Sequence, residues 1–285
     1  MRVITWNLNS IKTRKERLLA LLERHDPDIV CLQELKLSRD NFPFDDIESA
    51  GYNAAIHAQP SYNGVAILSK RTPEAVVTGF NDDAFEDPHA RLVTAHFKAQ
   101  SLGPKWKTGA VISAYFPNGQ ATDSDKFIYK LDWIDRLRRK IQHQLEDTEH
   151  LILAGDANVA PRTRDVANPT KWNDSVLCAP TARTVLQRLT QSAHPAGLED
   201  TFRKLHTLSE DALDKPARAP EDLSWWDYRA RGWDNNDGLR IDHIYATPDL
   251  AKHATRSFTD TDERRPDAHH SPPSDHAPVI TDFDL

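Results

Sequence analysis

Residues 28–34 read DIVCLQE: four apolar side chains in succession, Ile29 to Leu32, then an amide and a carboxylate. A strand wetted on one face alternates apolar and polar residues. An unbroken apolar run therefore marks a strand covered on both faces, as in sheets layered between helices. Glu34 then stands at the C-terminal edge of that strand, where loops gather binding groups. On the N-terminal side, Thr13-Arg14-Lys15-Glu16 has the form of a capping box. Leu18, Leu19 and Leu22 share one face of the helix it would open, and Asp26-Pro27 stops that helix. RVITWNLNS (2–10) reads as a preceding strand. Further strands are predicted at GVAILS (64–69), RLVTAHF (91–97), AVISAYF (110–116), HLILAG (150–155), RIDHIYA (240–246) and APVITDF (277–283), with a weaker one at YNAAIHA (52–58). A second helix is predicted where Phe127, Leu131, Ile134, Leu137, Ile141 and Leu145 recur at intervals of three and four, with Lys130, Arg136, Arg138 and Arg139 off that apolar stripe.

Strands and helices recur along all 285 residues with no internal repeat and no long Gly/Ser linker, so the expectation is one α/β domain over 1–285. At 39% hydrophobic and 28% charged residues the chain is neither a disordered nor a collagen-like type. No apolar run approaches the roughly 18–20 residues that cross a bilayer. The first strand begins at residue 2 without a basic-then-apolar leader, which predicts mature protein with no membrane association. Cys31 and Cys178 stand apart with no CxxC spacing; this argues against a disulfide framework or a zinc cluster and fits a reducing cytoplasm. The net charge of −7, from 36 Lys and Arg against 43 Asp and Glu, excludes a protein that coats nucleic acid by bulk electrostatics but permits a local basic face.

Polar residues punctuate the strand ends: Asn7, Glu34, Tyr115 and Asn118, Asp156 and Asn158, Asp242, and Asp275-His276. Any one of these alone is more often a turn or cap residue. Together, at the ends of neighbouring strands, they can converge on one sheet edge. The set is oxygen-rich and free of cysteine, which suits Mg²⁺ or Mn²⁺ rather than zinc. Trp6 reads as core, and Cys31 as a small buried hydrophobe. His269-His270 lies among prolines in a polar stretch and reads as solvent loop; Lys204–Glu221 and Thr259–Pro273 read as surface loops. The charge run Arg136 to Lys140 reads as the wet face of its helix. Trp225, Trp226, Tyr228 and Trp233, interleaved with Arg229, Arg231 and Arg240, offer stacking surfaces beside phosphate clamps, although some must be core.

Eight motifs carry a resemblance to a known family: WNLNS (6–10), LQELK (32–36), YNGVAILSK (62–70), AYFPNG (114–119), GDANVAP (155–161), LEDTFR (198–203), SWWDYRARGWDNNDGLRIDHI (224–244) and SDHAPV (274–279). Over nearly its whole length the chain resembles the exonuclease III group of class II abasic-site endonucleases, within the endonuclease/exonuclease/phosphatase superfamily. GDxN and SDH alone would indicate only the superfamily; the SWWDYR to GLRIDHI block points to DNA repair. The resemblance implies a DNase I-like four-layer α/β sandwich of two packed mixed sheets flanked by helices. It implies a metal site drawn from Asn7, Glu34, Asp156, Asn158, Asp275 and His276, with Glu34 as principal ligand. In catalysis Asp156 would activate water, Asn158 would hold the scissile phosphate, and Tyr115 would sit near phosphate or leaving group. His276, paired with Asp242, would place positive charge on a phosphate oxygen. Arg91, Asn118, Lys126, Trp225, Arg229 and Arg240 would face DNA, with Trp225 lining the pocket for an extruded abasic sugar.

The expected activity is Mg²⁺-dependent cleavage 5′ to abasic sites, with Mn²⁺ able to substitute, together with 3′ exonuclease and 3′-phosphatase action. The expected partner is double-stranded DNA with abasic sites or blocked 3′ ends, met by a monomer in the cytoplasm, nucleoid-associated in a bacterium. A superfamily phosphatase or an RNA-directed nuclease is the rival enzyme; it should lack SWWDYR and GLRIDHI. A non-catalytic DNA-binding relative would be free to lose Glu34, Asp156, Asp242 or His276, and all four are present. Segments 163–181 and 259–273 match the family pattern poorly.

Overall fold

The computed structural model describes residues 1–81, 87–192, 197–266 and 271–285. The strands in chain order are β1 (Arg2–Asn7), β2 (Ile29–Gln33), β3 (Asn53–His57), β4 (Val65–Ser69), β5 (Ala75–Thr78), β6 (Leu92–Phe97), β7 (Gly109–Tyr115), β8 (His150–Asp156), β9 (Glu199–Asp200), β10 (Trp225–Trp226), β11 (Gly238–Leu239), β12 (Asp242–Ala246), β13 (Ala254–Thr259) and β14 (Val279–Phe283). They form two six-stranded mixed sheets, ordered β13-β14-β1-β2-β4-β3 and β5-β6-β7-β8-β12-β9, with β10-β11 as a separate ribbon. Near the middle of each sheet lies one parallel pair, β1 with β2 and β7 with β8. The other pairings are antiparallel.

Three apolar layers hold four layers of structure together. Val3, Ile29, Cys31, Val111, Ile152 and Ile244 fill the space between the sheets. Ile4, Leu18, Leu22, Val30, Leu32 and Leu68 join the outer face of the first sheet to helix Ile11–His25. Ile112, Ile134, Leu137, Leu151, Leu153 and Leu186 join the second sheet to helices Asp125–Asp147 and Pro180–Ser192. Each central strand thus buries both faces, as the unbroken apolar runs require. The fold is the four-layer α/β sandwich of two packed mixed sheets flanked by helices.

The structure corrects three sequence readings. Helix Ile11–His25 begins two residues before Thr13, so the capping box does not form; Ser10 precedes it without a side-chain cap, and Thr13 lies inside the helix. The stop holds, because Asp26 adopts a left-handed conformation (φ 43°) and its N–H reaches the Leu22 carbonyl. Lys130, expected off the apolar stripe of its helix, is fully buried. Within Thr259–Pro273, Asp260, Glu263 and Arg264 are buried, with Glu263 paired to the buried Arg17, so the start of this segment is packed core and not surface loop. His269 and His270 lie outside the described residues.

Candidate active site

The registers of both sheets bring the polar strand ends to one edge. In the first sheet Asn7 ends β1 opposite Gln33 of β2, and Glu34 follows immediately. In the second sheet Tyr115 of β7 pairs with Asp156 of β8, and Asp156 pairs on its other side with Asp242 of β12. His276 precedes β14, which runs antiparallel to β1. The close approach of β7 and β8 depends on Gly155: a Cβ built there would lie 1.9 Å from the Ala114 carbonyl oxygen.

Hydrogen bonds tie these ends across the two sheets. The Asn7 amide nitrogen donates to Glu34 Oε1 and Asp156 Oδ2, each at 2.9 Å. The Asn158 backbone N–H donates to Asp156 Oδ1 at 2.8 Å, and the Asn158 amide donates to the Phe116 carbonyl and to Asp156 Oδ2. Asn118 Nδ2 donates to Asn158 Oδ1 at 2.9 Å. His276 Nδ1 lies 2.9 Å from Asp242 Oδ2, and its Nε2 lies 3.8 Å from Asp156 Oδ2. Glu34 and Asn158 both hold left-handed backbone, at φ 53° and 49°. Strain of this kind persists where the surroundings enforce it, and it gathers at functional sites.

Burial sets the protonation states. Burial alone would lower the His276 pKa. The Asp242 charge, its hydrogen bond and the Asp156 and Asp275 carboxylates overcome that and push it up to about 10. Burial raises Asp156 to about 7, against the pull of the His276 charge and with the repulsion of Asp242 behind it. Burial, together with the Glu34 and Asp156 charges, keeps the Tyr115 phenol protonated. With its proton on, the imidazolium offers N–H groups and no lone pair, and can donate to an anion.

Among the described residues, ligand atoms of Glu34, Asp156 and His276 lie within 4.8 Å of one another. The two carboxylates fit a hard divalent cation. Asn7 presents its nitrogen to both of them and so organises the pair instead of adding an oxygen. The Asp275 carboxylate accepts from Trp225 Nε1 at 3.0 Å and from Asn9 Nδ2 at 2.9 Å.

The expected DNA-facing residues divide. Arg91 lies over the Tyr115 ring, 4.9 Å from its centroid, beside the site. Asn118, Lys126 and Arg229 are exposed, and Trp225 is half-buried with an edge-on contact to Trp172. Arg240 is corrected to an interior residue. Only 1% of its side chain is exposed, and it pairs with Asp165 and Asp200, each at 2.7 Å. Trp226 is core, and Trp233 packs edge-on against it. Trp6 is also core, yet its Nε1 donates to the His276 carbonyl at 3.1 Å.

Several supporting residues escaped the sequence reading. Ser224 Oγ donates to Asp242 Oδ2 at 2.6 Å and accepts from the N–H groups of Ile241 and Asp242. Lys36 pairs with Glu34 at 2.7 Å. Ser274 Oγ donates to the Asn7 carbonyl and accepts from the His276 N–H. All three lie inside quoted motifs, Ser224 and Ser274 next to Trp225 and Asp275 and Lys36 two residues from Glu34; nothing in single-sequence chemistry marks a serine as the third member of an Asp–His pair.

The endonuclease/exonuclease/phosphatase family model matches residues 4–276. The chain is 32% identical to exodeoxyribonuclease III of Haemophilus influenzae, covering 99% of this chain and 100% of that protein. Among solved structures it resembles the 3′ phosphatase NExo of Neisseria bound to a product DNA hairpin, at 33% identity and TM-score 0.86. It also resembles an AP endonuclease of Archaeoglobus fulgidus, at 30% identity and TM-score 0.83. Both alignments cover 100% of each chain. Two central parallel strand pairs deliver an Asn–Glu–Asp cluster to one edge, β12 and the segment before β14 add an Asp–His pair, and the family model and the exodeoxyribonuclease III relative match along nearly the whole chain; the chain therefore belongs to the exodeoxyribonuclease III group of the endonuclease/exonuclease/phosphatase family.

Proposed function

We propose that this nuclease is a Mg²⁺-dependent DNA-repair phosphodiesterase that cleaves 5′ to abasic sites, leaves a 3′-hydroxyl, and also trims blocked 3′ ends. The observation that carries the reading is the 3.8 Å approach of the buried His276 imidazolium to Asp156, whose other contacts are the Asn7 and Asn158 amides. That arrangement sets a carboxylate and a cationic donor side by side, so that one phosphate lying over the pair could meet both. Asp156 accepts the proton of the attacking water, Asn158 and His276 donate to non-bridging oxygens, and Asp242 with Ser224 fixes the imidazole. Glu34 and Asp156 would hold the cation, which when bound supplies Lewis-acid charge to the phosphate. Tyr115 would donate to the leaving oxygen, a role that its protonated phenol beside Arg91 supports.

Half-buried Trp225 stands between Asp275 and Trp172 and forms one wall for a flipped-out sugar. We infer a monomer, since both sheets complete their cores within one chain, and a cytoplasmic location, which the two buried free cysteines Cys31 and Cys178 support. Incubation with Mg²⁺ and a duplex carrying one abasic analogue tests the reading. A single incision 5′ to the analogue is expected. The likeness to NExo supports a second emphasis, in which 3′-phosphate removal dominates; shortening or dephosphorylation of 3′ ends without internal incision would select it.

A further inference from the structure

The long helix Asp125–Asp147 sends one charged side chain inward. Lys130 is fully buried, and its Nζ donates to three main-chain carbonyls: Asn158 at 2.7 Å, Asn118 at 3.0 Å and Val176 at 3.2 Å. These belong to three segments remote in sequence. They are the turn after β8, the turn after β7, and the stretch 163–181 that departs from the family pattern. All three hydrogen bonds of the ammonium go to carbonyl dipoles and none to a carboxylate. A charge buried on such terms costs stability that an apolar side chain of the same length would not. Its retention calls for a compensating role, and the connectivity supplies one. Asn158 holds a left-handed conformation, and Asn118 Nδ2 donates to Asn158 Oδ1. The Asn158 amide in turn reaches Asp156. A glycine closes the arrangement: at Gly119 (φ 97°) a Cβ would lie 3.1 Å from Lys130 Cδ, so that turn packs directly on the lysine stem.

We propose that Lys130 is a positioning residue, whose ammonium clamps the carbonyls of Asn118 and Asn158 and so, with Asn118 bonded to Asn158, holds the Asn158 amide in place beside Asp156 at the reacting phosphate. The inference rests on the phosphodiesterase reading of the same site. It makes no contact with substrate itself; it fixes the backbone of the residue that does. The third carbonyl, Val176, ties the divergent 163–181 segment to the same cation, so a change there is felt at Asn158 through one side chain.

The test is a mutant cycle on the full chain with an abasic-analogue duplex and Mg²⁺, measuring single-turnover rate and equilibrium affinity separately. Lys130→Gln should lower the rate by roughly 100-fold, the scale on which sub-ångström misplacement of a catalytic group acts, with affinity changed less than about 3-fold. Lys130→Arg, which keeps charge and donors, should recover part of that loss. Asn158→Ala combined with Lys130→Gln should lose no more than Asn158→Ala alone, since the lysine acts through that residue. Additive losses, or a folded Lys130→Gln with wild-type rate, overturn the proposal. Where Lys130→Gln does not fold, the same cycle is read with Lys130→Arg. Wild-type protein that leaves the abasic duplex intact but dephosphorylates 3′ ends revises only the substrate, and the cycle is then run on that reaction.

Discussion

Asp156 and His276 face each other at 3.8 Å, with a carboxylate, a serine hydroxyl and two amides ordered around them. Groove contacts hold the ground state, whereas water activation and charge on the phosphate act in the transition state. Asp156→Asn should therefore lower turnover by about 10² to 10⁴, as for loss of a general base, while duplex affinity holds or improves as repulsion from phosphate disappears. Single-turnover cleavage and equilibrium binding on one abasic duplex check this; wild-type turnover in the variant rejects Asp156 as the base. His276→Asn should behave alike, and adding Asp242→Asn to it should cost less than the sum of the two, since one hydrogen-bonded pair acts as a unit. At this scale the sequence marks the groups that the fold gathers at one edge, namely carboxylate, amide and imidazole at strand ends. It fails for Arg240 and Lys130. A basic side chain at the margin of a motif looks the same whether it points to water or into a cage, and only the partners Asp165, Asp200 and the three carbonyls decide.

Strands were the most legible elements, because burial on both faces writes unbroken apolar runs that a short window detects. The start of helix Ile11–His25 was not: a capping-box pattern is only a local option, and tertiary packing of Ile11 drew the helix two residues earlier. The β7–β8 pair makes its own prediction. Gly155→Ala drives a methyl group into the Ala114 carbonyl, and the strands must part. Chemical denaturation should show a loss of roughly 3 kcal/mol or more, the range of severe overpacking; a loss under about 1 kcal/mol would mean that the strands shift without cost. Strand β12 carries a second prediction. Burial, and then the Arg240 charge, holds the pKa of His243 down to about 4. Between the ordinary histidine value of about 6.5 and that level, an unfolded chain binds a proton that the folded chain refuses, so stability falls as pH drops through this window. Asp165 extends the fall. Burial would raise its pKa, but Arg240 and Arg203 hold it at about 2, so its contribution is present above the ordinary carboxylate value and is lost towards pH 2. The urea midpoint of the wild type, measured against that of His243→Gln, should fall from pH 7 to 5.5 to 4.5; the comparison cancels Asp156, whose raised pKa acts in the opposite sense over the same window.

The whole molecule carries a net charge of −7 and still, on the proposed reading, holds a polyanion. Affinity for duplex should nevertheless fall linearly in log–log coordinates as salt rises, because only the face around Arg91, Lys126 and Arg229 must be basic. A slope near zero contradicts a groove that tracks phosphates. Removing divalent cations with EDTA should abolish cleavage, and adding Mg²⁺ back should restore it while raising the thermal midpoint, since a cation that binds only the folded arrangement of Glu34 and Asp156 stabilises it by mass action. Cleavage undiminished in EDTA rejects the carboxylate cluster as a cation site. The sandwich itself was foreseen from family likeness; the apolar runs alone reached only a layered α/β domain, because nothing in a single strand says which sheet it will join.

Sheet order has one more consequence. Strand β14 lies between β1 and β13, so the first sheet is closed by residues 279–283, near the far end of the sequence, and His276 arrives just before them. On a ribosome, which releases the chain from its N-terminus, Asn7, Glu34, Asp156 and Asp242 emerge while the imidazolium and its supporting strand are still unmade. On the proposed roles a nascent or truncated chain lacks the donor that answers Asp156, so a chain cut short before residue 276 is expected to be inert, and chain order would then keep an incomplete enzyme from cutting.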